Sequence, residues 1–137
     1  FDNLKSVDDM IRALPDDQTP DVIGVDEVQF FKDAIEYLSK WREEGRLAIC
    51  SGLDKTVTRN FFPISILLME RSDELLQLTS VCTTCRKRRA PFTWSDSNPT
   101  GKQMIGGSES YEAVCYHCYE LKKEKYLKSL PNEVTPE

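Results

Sequence analysis

Four cysteines stand in two CxxC pairs, Cys82/Cys85 and Cys115/Cys118. Thiolates at this spacing bind one ion from a single tight turn, and two such turns close a tetrahedral sulfur site. Four thiolates leave no position open for water, so the ion implied is a structural zinc and not a catalytic one. Two other readings compete. A disulfide framework is disfavoured by the fifth cysteine, Cys50, and by a mostly α/β pattern, while a redox CxxC explains one pair at a time. Cys50 lies in an apolar run and reads as a small core residue. A second group able to do chemistry is Asp26-Glu27, directly after the apolar run Val22-Ile23-Gly24-Val25. A carboxylate at the carboxyl end of a parallel strand can serve Mg²⁺, and an adjacent glutamate can take a proton from an attacking hydroxyl. The plain alternative is a solvated acidic strand end. The companion loop, GxxxxGK[ST], is absent from these residues: around Gly101-Lys102, Asp96 takes the place of the first glycine and Gln103 that of Ser or Thr.

These groups need elements to hold them. Residues 5–14 read as a short amphipathic helix, with Val7, Met10, Ile11 and Leu14 at helical spacing. Val22–Val25 reads as a buried parallel strand, and Phe31, Ile35, Leu38 and Trp41 form one stripe of a following helix. Lys32/Glu36 and Lys40/Glu44 are spaced to pair along its outside, and Gly45 sits where a C-terminal cap belongs. Leu47–Cys50 is a second strand, residues 61–71 a second long helix, and Leu76–Val81 a third strand entering the first CxxC. This alternation is that of a parallel α/β sheet, and three strands preceded by a stray helix make an incomplete core, so we expect the chain to be a fragment. Prolines, glycines and serines over residues 90–110 predict a long loop or loose hairpin. Tyr111 to Leu130 reads as a charged helix with the second CxxC in its first turns, and Pro131 to Glu137 as an acidic tail.

Composition bounds the class. An apolar fraction of 39% with 30% charged residues is that of a globular protein, a single domain or a domain with a small appendage. No apolar stretch is long enough to span a bilayer, and Phe1 to Lys5 is no signal peptide, so a cytoplasmic protein without membrane contact is expected. A net charge of −5 disfavours a nucleic-acid coat. The local exception, Arg86-Lys87-Arg88-Arg89, reads as a solvated face in preference to a phosphate-binding one.

Four stretches, in this order and spacing, carry a resemblance: Val22 to Phe31 (VIGVDEVQFF), Gly52 to Arg59 (GLDKTVTR), Leu78 to Cys85 (LTSVCTTC) and Ile105 to Cys115 (IGGSESYEAVC). Together they resemble the zinc-containing thymidine kinases of the type found in animal cytosol, many bacteria and poxviruses. The resemblance covers residues 21 to 120. It implies a parallel-sheet P-loop-kinase (RecA-like) core, incomplete at its N-terminus, over residues 1–79. It further implies a zinc ribbon at 80–125 whose lasso loop occupies about 90–111, and a tail at 126–137. The implied activity is ATP-dependent transfer of a γ-phosphate to the 5′-hydroxyl of thymidine, giving dTMP.

Carried over residue by residue, the resemblance makes Glu27 the general base and has Asp26 serve Mg²⁺ through water. Phe30 lines the base pocket with Gln29 supporting that wall, and Leu53 and Phe62 match apolar pocket positions. Arg59 neutralises a phosphate or a carboxylate. In the lasso, backbone groups near Thr93 and at Met104, Ile105, Gly106 and Gly107 face the thymine edge, and Tyr111 the deoxyribose. Cys82, Cys85, Cys115 and Cys118 hold the zinc, which pins both roots of the lasso. A homodimer or homotetramer is implied, with thymidine and ATP as substrates and dTTP as an inhibitor.

The chain departs from the family at Val57, where an aromatic usually stacks on the base, and at Val28, Lys55 and Pro63, where smaller residues are usual. Without a phosphate loop the isolated chain is expected to show little or no activity. The alternative reading is a catalytically degenerate kinase half that supports an active partner. A zinc-ribbon nucleic-acid binder ranks third.

Overall fold

The computed structural model describes residues 6–14, 19–101 and 111–131. Two compact units emerge: residues up to Asp54 together with Phe61–Leu75, and Lys55–Asn60 together with the residues from Leu76 onward.

The first unit begins with α1, Val7–Arg12, which Ser6 caps by accepting the Asp9 amide at 3.0 Å. The Asp33 carboxylate takes the next two orphan amides, those of Val7 and Asp8, at 2.9 and 3.1 Å. Strands β1, Val22–Val25, and β2, Leu47–Cys50, pair in parallel, Val22 opposite Leu47 and Val25 opposite Cys50. Between them lie a 3-10 turn at Val28–Phe30 and α2, Ala34–Glu43. The end of α2 follows from Gly45, whose φ of +74° lets the Arg46 amide reach the Trp41 carbonyl at 2.8 Å and its own amide the Arg42 carbonyl at 3.0 Å. Glu44 pairs with Arg46 at 2.8 Å. Helix α3, Pro63–Arg71, starts on a proline that needs no amide partner in the first turn. Val7, Val25, Val28, Ala34 and Trp41 are buried together, with Ile11, Ile23, Phe31, Leu38 and Leu68 packed against them.

The third strand expected at Leu76–Val81 is not there. Only Ser80–Val81 forms a strand, β3, and it pairs antiparallel with β4, Arg89–Ala90. Leu76 and Leu78 are 77% and 80% exposed. An apolar run predicts burial, but a strand forms only against a neighbour that takes its backbone groups, and the parallel sheet among the described residues has two strands.

In the second unit, β5, Phe92–Ser95, pairs antiparallel with β6, Tyr111–Val114, giving the expected loose hairpin two ordered legs. Helix α4 runs Tyr116–Ser129. Tyr111–Val114 is therefore strand, and not the first turn of a helix as expected, because β5 supplies its partner. The helix waits for Cys115, whose Sγ accepts the Cys118 amide at 3.5 Å. It continues to Ser129, next to its expected end at Leu130. The core here is Cys82, Ala90, Trp94, Val114, Cys115, Cys118 and Tyr119. No helix among the described residues is long and apolar enough to cross a membrane.

Candidate active site and metal centre

The carboxyl edge of the β1–β2 sheet gathers six consecutive polar and backbone contacts. The ladder continues past the strands: the Ser51 amide donates to Val25 O at 2.9 Å and the Val28 amide to Ser51 O at 3.1 Å. Because Val25 and Cys50 are in register, Ser51 lies beside Asp26, and its hydroxyl donates to Asp26 Oδ1 at 2.6 Å. The Glu27 amide donates to the same oxygen at 2.9 Å. The Ser51 hydroxyl first, and then that amide, hold the Asp26 carboxyl below the usual range, so Asp26 is an anion at neutral pH. Glu27 has φ +51° and ψ +38°, the left-handed region that costs a non-glycine residue about 1–2 kcal/mol. Such backbone collects at functional sites. Glu27 Oε2 accepts from Gln29 Nε2 at 2.6 Å, and Gln29 Oε1 accepts the Leu53 amide at 3.2 Å.

Beside these carboxylates lie apolar groups. Phe30 is exposed and meets Phe62 edge to face, with ring centroids 6.1 Å apart. Leu53 is exposed, and its carbonyl is tied by Ser65 Oγ at 2.7 Å. Gln29, expected to support a pocket wall, is 6% exposed with its carboxamide engaged at both ends, so it stands behind the surface.

In the second unit, residues 55–60 form a tight turn in which the Thr56 amide bonds Asn60 O at 2.8 Å and Arg59 adopts φ +65°. Arg59 meets a carboxylate: its Nη1 lies 2.6 Å from Glu120 Oε1. Its guanidinium lies 4.3 Å from the Tyr119 ring centroid, with Tyr116 and Phe92 at 5.5 and 5.7 Å. The Tyr119 hydroxyl donates to Val57 O at 2.6 Å, so α4 holds the turn at two points. Thr93 sits in β5 opposite Ala113, and Tyr111 opens β6 opposite Ser95 with its side chain exposed. Met104, Ile105, Gly106 and Gly107 lie outside the described residues.

The four cysteines converge. The Sγ atoms of Cys82, Cys85, Cys115 and Cys118 all lie within 4.8 Å of one another, three of the residues being buried, and none is in a disulfide. A tetrahedron of Zn–S bonds of about 2.3 Å has edges of about 3.8 Å, so the cluster is close to the required size. Arg86, at φ +57°, turns the chain after the first pair, and its amide closes onto Cys82 O at 2.8 Å. Burial opposes ionisation of Cys82, but the amides of Cys85, Cys115 and Thr84 outweigh it and lower the thiol to about 6. The Cys118 amide lowers Cys115, whereas burial and the neighbouring sulfurs push Cys118 up to about 12. A divalent cation bound by such a cluster would take the place of its thiol protons. The donor set fits a closed structural zinc.

The site depends on residues that the sequence did not single out. Ser51 and Ser65 hold the strand edge, and Tyr119 and Glu120 hold the 55–60 turn. Only Ser51 left a signal, since a residue directly after one parallel strand neighbours the residue directly after the other.

A small parallel βαβ unit with two anchored carboxylates at its edge, together with a tetracysteine ribbon, defines an α/β protein with a metal knuckle. The family model described as thymidine kinase matches residues 2–119, and the chain belongs to that family. The thymidine kinase of monkeypox virus is 36% identical over 111 residues, which are 81% of this chain and 60% of that protein. That of vaccinia virus (strain Ankara) is 38% identical over 98 residues, 72% of this chain and 55% of that protein. Variola virus (isolate Human/India/Ind3/1967) has a thymidine kinase 36% identical over 111 residues, again 81% and 60%. The chain thus spans somewhat over half the length of the curated relatives it matches.

Proposed function

We propose that the protein carrying this chain is a thymidine kinase, transferring the γ-phosphate of ATP to the 5′-hydroxyl of thymidine to give dTMP. The observation that carries the reading is the strand-end carboxylate pair, each member held by its own partner and Glu27 kept in strained backbone. Phosphoryl transfer asks little covalent chemistry of a protein and much positioning. Glu27 accepts the proton of the 5′-hydroxyl as it attacks. Asp26, anionic and fixed, is suited to holding a hydrated Mg²⁺, which binds through one or two carboxylates plus the substrate phosphates and neutralises their charge. Phe30, Leu53 and Phe62 offer apolar surface to the base in the first unit. In the second unit, Thr93, Tyr111 and residues 104–107 serve the nucleoside in the manner of a lasso, whose two legs are β5 and β6.

The core is of the P-loop-kinase type, with residues 1–79 its α/β part and 80–125 the ribbon. No GxxxxGK[ST] phosphate cradle occurs among these residues. A cytoplasmic homo-oligomer inhibited by dTTP completes the proposal.

The experiment is Glu27→Gln in the intact gene product. Loss of a general base lowers turnover by about 10²- to 10⁴-fold, while calorimetry shows thymidine binding retained. Unchanged turnover removes Glu27 from the role.

A further inference from the structure

Gln29 is a polar residue in a buried position, 6% exposed in the middle of the 3-10 turn after β1. A buried carboxamide must have both ends satisfied, and here they are satisfied unequally. The Leu53 amide can only donate, so it fixes Oε1 toward itself and leaves Nε2 to face Glu27. The contact from Nε2 to Glu27 Oε2 is 2.6 Å, a charge-assisted hydrogen bond. Gly52 leaves room for this arrangement, since a Cβ there would stand 2.2 Å from Gln29 Oε1. Glu27 itself is exposed, and an exposed glutamate otherwise samples several rotamers. The carboxamide connects the Glu27 carboxylate, through its Oε2, to the main chain just beyond β2.

We propose that Gln29 is a positioning residue for Glu27 and not part of the surface that touches the base. The proposal rests on the kinase reading above. Gln29 acts through Glu27, so its removal changes the chemical step and leaves nucleoside binding alone.

The test is Gln29→Met in the intact gene product, alone and combined with Glu27→Gln, with kcat, KM and the calorimetric thymidine constant measured for each. A loosened base of this kind costs about 10- to 100-fold in kcat. We expect that loss in the single variant with thymidine binding within about twofold of the parent. In the Glu27→Gln background the same substitution changes kcat by less than about twofold, because the residue it positions is already disabled. A Gln29→Met variant that keeps its kcat, or that loses the same factor in both backgrounds, overturns the positioning role. Should Gln29→Met fail to fold, Gln29→Glu keeps the volume and replaces the donor by a like charge, and parental kcat in that variant overturns the role equally. A parent protein without thymidine-dependent ATP turnover overturns the kinase reading, and the proposal falls with it. An active parent with an unimpaired variant overturns the positioning role alone.

Discussion

Asp26 and Glu27 are adjacent carboxylates of nearly equal chemistry, and their partners make them different. Asp26 is tied by a hydroxyl and an amide, both of which favour its ionised form. Ser51→Ala removes the larger of these influences, so the Asp26 carboxyl should move up toward its ordinary value, read by carbon NMR of the side chain. The sign for stability follows. A carboxyl held low in the folded state stabilises it above the ordinary carboxylate range, and that contribution is lost as pH falls through the depressed value. The gap in Tm between parent and Ser51→Ala should therefore be full at neutral pH and close in acid. A gap independent of pH would mean that the hydroxyl stabilises the fold by some other route. Arg59 teaches a related lesson. The family resemblance gave it a phosphate or a carboxylate to neutralise; in the structure its guanidinium pairs with Glu120 of α4, with three aromatic rings around it. Nothing in the local sequence announces Glu120 as that partner, because the two residues are brought together only by tertiary packing.

Among the elements, local chemistry showed where β1, β2 and the end of α2 lie. It did not show the burial expected of the strands, since Val22, Leu47 and Ile49 are more than half exposed, nor the partner of Glu44, which is Arg46 and not Lys40. Strands β1 and β2 are short apolar runs between polar residues, and the glycine that ends α2 was visible as a glycine just beyond an amphipathic stripe. Gly45 makes this testable: with φ +74°, Gly45→Ala should cost about 1–2 kcal/mol, seen as a lower urea midpoint with unchanged slope. A neutral substitution would show that the cap is not what ends the helix. The misread elements share one cause. Leu76–Val81 and Tyr111–Val114 have compositions compatible with more than one state, and their state is decided by partners distant in sequence. Tyr111 finds Ser95 and becomes strand; Leu76 and Leu78 find no sheet neighbour among the described residues. Likewise the cysteine spacing was legible because each CxxC is local. The Gln29–Glu27 bond was not, because the left-handed turn that permits it leaves no mark in an Asp-Glu-Val-Gln sequence.

At the scale of the molecule, the two units are stabilised by different means. The first buries Trp41 with Val7, Val25, Val28 and Ala34, Tyr37 against its ring, and holds no cysteine of the tetracysteine set. The second buries Trp94 in a core where three of the seven residues are cysteines of the tetracysteine cluster, so an ion bound there would be part of what holds the core together. Four sulfur bonds to one ion would tie the turn after β3 to the start of α4, a link that the free thiols do not make. Each unit thus carries its own buried fluorophore, at 3% and 2% exposure, and these are the chain's two tryptophans. Chelation should separate them. With Trp41→Phe, leaving Trp94 as reporter, a strong zinc chelator at neutral pH should shift the emission to the red, and added zinc should restore it. With Trp94→Phe, leaving Trp41, the same treatment should leave the spectrum nearly unchanged. Elemental analysis supplies the stoichiometry, one zinc per chain. A Trp94 signal indifferent to chelation, with the cysteines oxidised, would show that the ribbon is held by sulfur–sulfur bonds; a red shift in both reporters would show that the first unit needs the metal as much as the second.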